Sequence, residues 1–96
     1  MGKDHIKSVI IVGGGKITYY LTKKLCEYGF RVKIIEKDRQ RCEYLDSVFS
    51  GDVVVINGDG SDRRLLLEEG IEDADGFAAI TDFDEENVML SLYVST

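Results

Sequence analysis

Val9-Ile10-Ile11-Val12-Gly13-Gly14-Gly15-Lys16-Ile17-Thr18 is the stretch that decides how this chain folds. Four apolar residues in a row read as a strand covered on both faces. The run breaks directly into three glycines and then into a helical pattern. A strand that stops in glycine and starts a helix aims backbone N–H groups at one point, where they can cradle a pyrophosphate. Glu36 closes the next apolar run, Val32-Lys33-Ile34-Ile35-Glu36. It follows Gly13 at roughly the 20-residue offset where such folds hold a ribose hydroxyl. The two features together make nucleotide binding the leading reading.

Working outward, strand and helix alternate. Strands are expected at Ser8–Val12, Arg31–Glu36, Val53–Asn57 and Gly76–Thr81. A first helix is expected over Ile17–Tyr28, with Ile17, Leu21, Leu25 and Tyr28 on its inward face and Gly29 as its stop. A second runs from Arg39 to Phe49, capped by Asp38, with Cys42, Leu45 and Phe49 inward. Ser61 or Asp62 caps a short third helix that carries Leu65 and Leu66 and stops at Gly70. Asp84 caps a final helix running to Thr96, in which Val88-Met89-Leu90-Ser91-Leu92-Tyr93-Val94 is apolar nearly all round. Four β-α units in series predict an α/β, doubly wound parallel sheet in the order 3-2-1-4. This is a Rossmann-like, dinucleotide-binding arrangement with only part of its usual six or so strands. The expected organisation is a linker or remnant at 1–6 and one domain over 7–96. That domain reads as a piece of a longer protein, with its last helix covered by further strands or by another subunit.

Composition sets outer bounds. Apolar residues make up 44% and charged residues 31%, which is globular rather than disordered. A net charge of −6 argues against nucleic acid as a partner, since its phosphates would be repelled. It leaves nucleotides open, because local amides bind phosphate on acidic proteins too. Two distant cysteines, Cys26 and Cys42, give no disulfide framework and fit a reducing cytoplasm. No apolar run is long enough to insert directly into a membrane. His5 stands alone and reads as solvated.

The candidate cofactor-binding residues are Gly13, Gly14, Gly15, Lys16, Ile17, Glu36, Lys37, Arg39, Gly58, Asp59, Gly60, Thr81 and Asp82. Gly13 permits the tight turn, and Gly15 lets the backbone approach the pyrophosphate. The third position of the glycine motif holds Thr18. Its branched side chain either pushes the first helix outward or points away from the first strand. Lys16 meets phosphate or is simply solvated. Gly15-Lys16 is not a P-loop, because Ile17 stands where Ser or Thr is needed. Glu36 suits both adenosine ribose hydroxyls and repels a 2′-phosphate, which favours NAD over NADP without excluding ATP, ADP or AMP. Lys37 and Arg39 flank the adenosine or pair with carboxylates. In the loop Gly58-Asp59-Gly60, Asp59 accepts from the adenine amino group or closes a turn. Thr81 and Asp82 face the central cleft, or Asp82 caps the last helix. Asp82, Asp84, Glu85 and Glu86 read as a solvated helix start rather than a cation site. Tyr20 and Lys24 have the spacing of a short-chain dehydrogenase pair. They sit on the wrong helix for that role and read as surface residues.

At this resolution the residues resemble a known family. Val12-Gly13-Gly14-Gly15-Lys16-Ile17, Ile34-Ile35-Glu36-Lys37-Asp38, Gly58-Asp59-Gly60-Ser61-Asp62, the run from Leu67 to Phe77 and Thr81-Asp82-Phe83-Asp84-Glu85-Glu86-Asn87 carry the likeness. The chain from Lys7 onward resembles the TrkA-N or RCK (KTN) domains of Trk-type potassium-uptake regulatory subunits. Within a two-lobed subunit the wording is closer to the second lobe. The resemblance implies a non-enzymatic, cytoplasmic domain on the inner face of a potassium-translocating membrane subunit. It implies homo-oligomers, dimers or larger, that bind NAD(H) or adenine nucleotides and convert occupancy into gating. By matched position Gly13, Gly15, Glu36, Asp59 and Thr81 would line the nucleotide site. The rival class is the cofactor-binding half of an NAD-dependent oxidoreductase. A third reading is an association module with a vestigial site.

Overall fold

The computed structural model describes residues 7–49, 51 and 53–80. His5, Thr81, Asp82 and the expected last helix lie outside the described residues. The elements are β1 (Ser8–Val12), α1 (Lys16–Glu27), β2 (Arg31–Glu36), α2 (Arg39–Val48), β3 (Val53–Asn57), α3 (Arg63–Glu68) and β4 (Gly76–Ala79). A 3-10 turn at Ile71–Asp73, absent from the sequence reading, joins α3 to β4. The sheet order is β3-β2-β1-β4 with every pair parallel, as the alternation predicts. The register pairs Val12 with Ile35 and Ala79, and Ile35 with Ile56. All four strands therefore end on one line.

Strand alternation sorts the side chains into two layers. Ile11, Val32, Ile34, Leu45 and Ile80 form the buried core, against which Ile17, Leu21, Leu25, Phe49 and Val55 pack. This is the face covered by α1 and α2. Lys33 points the other way from Ile34 and reaches Glu69 at the end of α3, at 3.0 Å. The short α3 thus covers the opposite face. Asp38 and Asp62 cap α2 and α3, each accepting from two first-turn N–H groups.

Two expectations about α1 change. Tyr28 is 73% exposed rather than inward. The helix ends at Glu27, and Tyr28 leaves helical geometry at the C-cap, so its side chain no longer follows the inward line. The fully buried positions of α1 are Thr18 and Thr22, one turn apart. Thr18 does not point away from β1. Its hydroxyl donates to the Gly13 carbonyl at 2.7 Å and ties the helix to the turn that precedes it. Thr22 Oγ1 has no hydrogen-bond partner.

The two threonines should therefore respond oppositely to the same near-isosteric change. Thr18→Val is expected to destabilise by about 1–2 kcal/mol, because it strips a bond from a part-buried carbonyl. Thr22→Val is expected to be neutral or stabilising by up to about 1 kcal/mol, because it removes an unsatisfied buried hydroxyl. Urea unfolding of both variants tests this, and equal losses would refute it.

Candidate nucleotide cleft

The site is built at the carboxyl ends of the strands. Gly13 takes a φ of 111°, its N–H donates to the Ile35 carbonyl at 2.9 Å, and a Cβ there would overlap the Ile80 carbonyl. No L side chain fits either the angle or the space. The chain then enters α1 through Gly15, whose side makes no cap. The first-turn N–H groups of α1 thus lack the carboxylate cap that α2 and α3 carry, and they lie beside an open cleft.

That cleft has a volume of about 330 Å3. Its walls are Val12, Gly13, Gly14 and Gly15 from β1 and the turn, Ile35, Glu36, Lys37 and Arg41 from β2 and α2, Asp59, Gly60 and Ser61 from the loop after β3, and Ile80 after β4. Gly14 and Gly60 are there for closeness. A Cβ on Gly14 would lie 2.8 Å from Glu36 Oε1, and one on Gly60 would overlap the Val12 side chain.

Glu36 is held at both ends. Its carbonyl accepts from Gly58 N–H at 3.0 Å, Asn57 Nδ2 at 3.0 Å and Cys42 Sγ at 3.1 Å. Its carboxylate accepts from Asp38 N–H at 2.7 Å through Oε2, while Oε1 faces Gly14. The side chain is buried, at 6% exposure, yet it forms part of the cleft wall. Asp59 accepts from both the N–H and the hydroxyl of Ser61, at 2.9 and 2.7 Å. Those bonds hold its carboxyl below the ordinary value. This is the turn expected as one alternative, and the same residue also lines the cleft. Lys37 and Arg41 line the same cleft, and the Lys37 charge helps to hold the Asp59 carboxyl down.

The structure gathers Gly13, Gly14, Gly15, Glu36, Lys37, Asp59 and Gly60 around one space and leaves other candidates off it. Ile17 packs on the core. Lys16 is exposed and lines a neighbouring hollow with Tyr19, Tyr20 and Tyr44. Arg39 is 84% exposed and faces Glu43 at 3.7 Å. Gly58 is half-buried, with the Leu65 side chain where its own would be. Arg41 takes the position expected of Arg39, because two helical residues differ by about 200° around the axis. Helix phase, anchored on buried Cys42 and Leu45, is the signal that distinguishes them. Val12, Ile35, Ser61 and Ile80 line the cleft as well; Val12 ends β1 and Ile35 stands one residue before the end of β2.

Other features do not compete. A hollow of about 400 Å3 at the amino ends of the strands has a mostly apolar lining and an internal Lys33–Glu69 pair. Among the described residues there is no cluster of potential metal ligands, and no helix is long and apolar enough to cross a membrane. Tyr20 and Lys24 lie on the surface as expected.

Cys42 offers a probe of the packing behind Glu36, whose carbonyl its thiol meets. Burial, reinforced by the Glu36 charge, pushes its thiol above the ordinary value of 9.0. The folded state therefore favours the protonated thiol. Its contribution to stability is present below the unfolded value and is lost as pH rises through 9.0 towards the folded one. At neutral pH, maleimide should label Cys42 at least about tenfold more slowly than half-buried Cys26. Mass spectrometry of the two peptides reads this directly, and equal rates would mean that Cys42 is not buried.

Comparison with known proteins gives the chain its family. Residues 9–96 match the TrkA-N domain family. The Trk system potassium uptake protein TrkA of Halomonas elongata is 43% identical over 86 residues, covering 90% of this chain and 18% of that protein. Its namesake from Haemophilus influenzae is 42% identical over 86 residues, with 90% and 18% covered. The Trk system potassium uptake protein TrkA homolog 1 of Methanosarcina mazei is 38% identical over 90 residues, covering 93% of this chain and 20% of that protein. The chain spans about a fifth of the length of these curated relatives. With a Rossmann-like four-stranded sheet and a match from β1 onward, this chain belongs to the TrkA-N domain family.

Proposed function

We propose that this chain is a regulatory, nucleotide-binding domain of a potassium uptake system. It takes the adenosine end of NAD, NADH or an adenine nucleotide into the cleft between the glycine turn and Glu36. The observation that carries the reading is the pairing of two features across about 330 Å3 of space. One is a helix start with no side-chain cap, beyond glycines that keep the backbone bare. The other is a fixed carboxylate at the end of the neighbouring strand. The first suits phosphate, because the N–H groups and the helix dipole favour an anion. The second suits ribose hydroxyls, which donate to a carboxylate. Lys37 and Arg41 add positive charge at the adenosine side. The names of the relatives support the potassium uptake context.

The role is binding rather than catalysis. Nucleotide occupancy gates transport only if one arrangement of the assembly binds the ligand better than another. NAD and ATP share the AMP half, so that half anchors either one and the remainder reports which is present. The partner is a potassium-translocating membrane subunit, and the domain works on its cytoplasmic side as a homo-oligomer. A hydride-transfer assay on the full-length protein separates this reading from an oxidoreductase.

Calorimetric titration with AMP, ADP, ATP, NAD and NADH tests the site. At least one should bind, and Glu36→Ala should weaken it by about 10- to 100-fold, the loss of one or two charge-assisted hydrogen bonds. Unchanged affinity in the variant would remove the ribose from Glu36. No binding by any of the five would remove nucleotide recognition from this chain.

A further inference from the structure

Asn57 closes β3 and breaks an apolar run, Val53-Val54-Val55-Ile56. Asparagine is a poor strand former, because its side chain competes for backbone groups. Here that competition is put to use. Asn57 pairs with Glu36 in the last rung of the β2–β3 register. Past that rung β2 ends, and the Lys37 carbonyl lies beyond the ladder. The Asn57 side chain reaches it. Its Nδ2 donates to the Glu36 carbonyl and to the Lys37 carbonyl, each at 3.0 Å. Both amide hydrogens are thus spent on consecutive carbonyls where the chain leaves β2. Asn57 itself is exposed and forms no part of the cleft wall.

The two carbonyls are not equivalent. That of Glu36 also accepts from Gly58 N–H and Cys42 Sγ, so it stays held without Asn57. That of Lys37 belongs to the peptide group whose other end is the Asp38 N–H. This N–H donates to Glu36 Oε2 at 2.7 Å. A trans peptide group is planar, with its C=O and N–H pointing opposite ways. Fixing the carbonyl edge against β3 therefore fixes the direction of the N–H edge. Asn57 grips one edge of the plane, and the Glu36 carboxylate hangs on the other. A donor on the carbonyl also polarises the N–H and strengthens its bond to the carboxylate.

We propose that Asn57 is a positioning residue for nucleotide binding, aiming the Glu36 carboxylate at the ribose hydroxyls through the Lys37–Asp38 peptide. The proposal rests on the nucleotide reading of the cleft given above. If Asn57 were an ordinary strand-ending residue that adds stability alone, its loss would weaken every ligand of the cleft alike. If it acts through Glu36, only ligands that carry the hydroxyls lose affinity.

Calorimetric titration with ATP and with 2′,3′-dideoxy-ATP separates the two. Wild type should prefer ATP by about 10- to 100-fold, the contribution of the hydroxyls at Glu36. Asn57→Ala removes both donors, and Asn57→Asp keeps the shape while setting oxygen against both carbonyls. In each variant that preference should fall at least about fivefold, while dideoxy-ATP binds the alanine variant within about twofold of wild type. The ratio cancels any effect of added charge or lost stability on the ligand as a whole. Where NAD binds and ATP does not, NAD and its analogue lacking both adenosine ribose hydroxyls take their place. An unchanged ratio, or equal losses for both ligands, would overturn the proposal. Without ligand, the Asp38 amide proton should move upfield in both variants as its bond to Glu36 weakens, and a stationary resonance would overturn the proposal too. A wild type that binds both ligands alike, or neither, would instead remove the ribose from Glu36 and with it the function proposed above. The Asp38 resonance then decides by itself whether Asn57 holds the carboxylate.

Discussion

The absence of a side chain at Gly13 is the constraint on which the carboxyl end of this sheet depends. Three elements converge on that one residue. Its N–H bonds to β2, its carbonyl receives the Thr18 hydroxyl from α1, and the Ile80 carbonyl after β4 occupies the space a Cβ would need. A larger residue would have to separate strands that share the core with Ile11 and Ile34. The turn is therefore fixed from three sides, and the uncapped start of α1 is fixed with it. A phosphate cradle needs this rigidity, because its N–H groups must already point at the anion before the anion arrives.

Glu36 extends the same logic to β2. Three donors on its carbonyl come from the end of β3, from the residue after it and from α2. The strand end, the β3 loop and the second helix are thereby locked together. The carboxylate is then oriented by the N–H of Asp38, whose own side chain caps α2. One short segment, Glu36-Lys37-Asp38, thus ends a strand, positions a cleft acid and begins a helix. Substituting Asp38 would act on the cleft without facing it.

Thr18 shows how a departure from a motif is resolved by packing. A small residue at the third glycine position allows close approach of helix and strand. Thr18 is larger, but it is fully buried and its hydroxyl answers a carbonyl of the turn. Thr22, one turn later, is buried as deeply without such a partner. The same residue type on the same helix face is a tie in one place and a polar cost in the other. Only the position of a neighbouring carbonyl separates them.

The sequence by itself determined the strands, their parallel order, the Asp38 cap and the glycine turn, because these follow from local periodicity and from backbone chemistry at single residues; between Ser61 and Asp62 as the cap of α3 it left the choice to the structure. It also singled out Glu36, since the distance along the chain from turn to strand end is set by one helix and one strand. Tertiary structure showed which arginine meets the cleft, Arg41 rather than Arg39, the one that the phase of α2, anchored on Cys42 and Leu45, turns towards it. It alone turned Tyr28 outward, by ending α1 one residue earlier than the apolar pattern does. It alone gave Thr18 its partner and left Thr22 without one. Periodicity says which side of a helix faces inward; only packing says which atoms wait there.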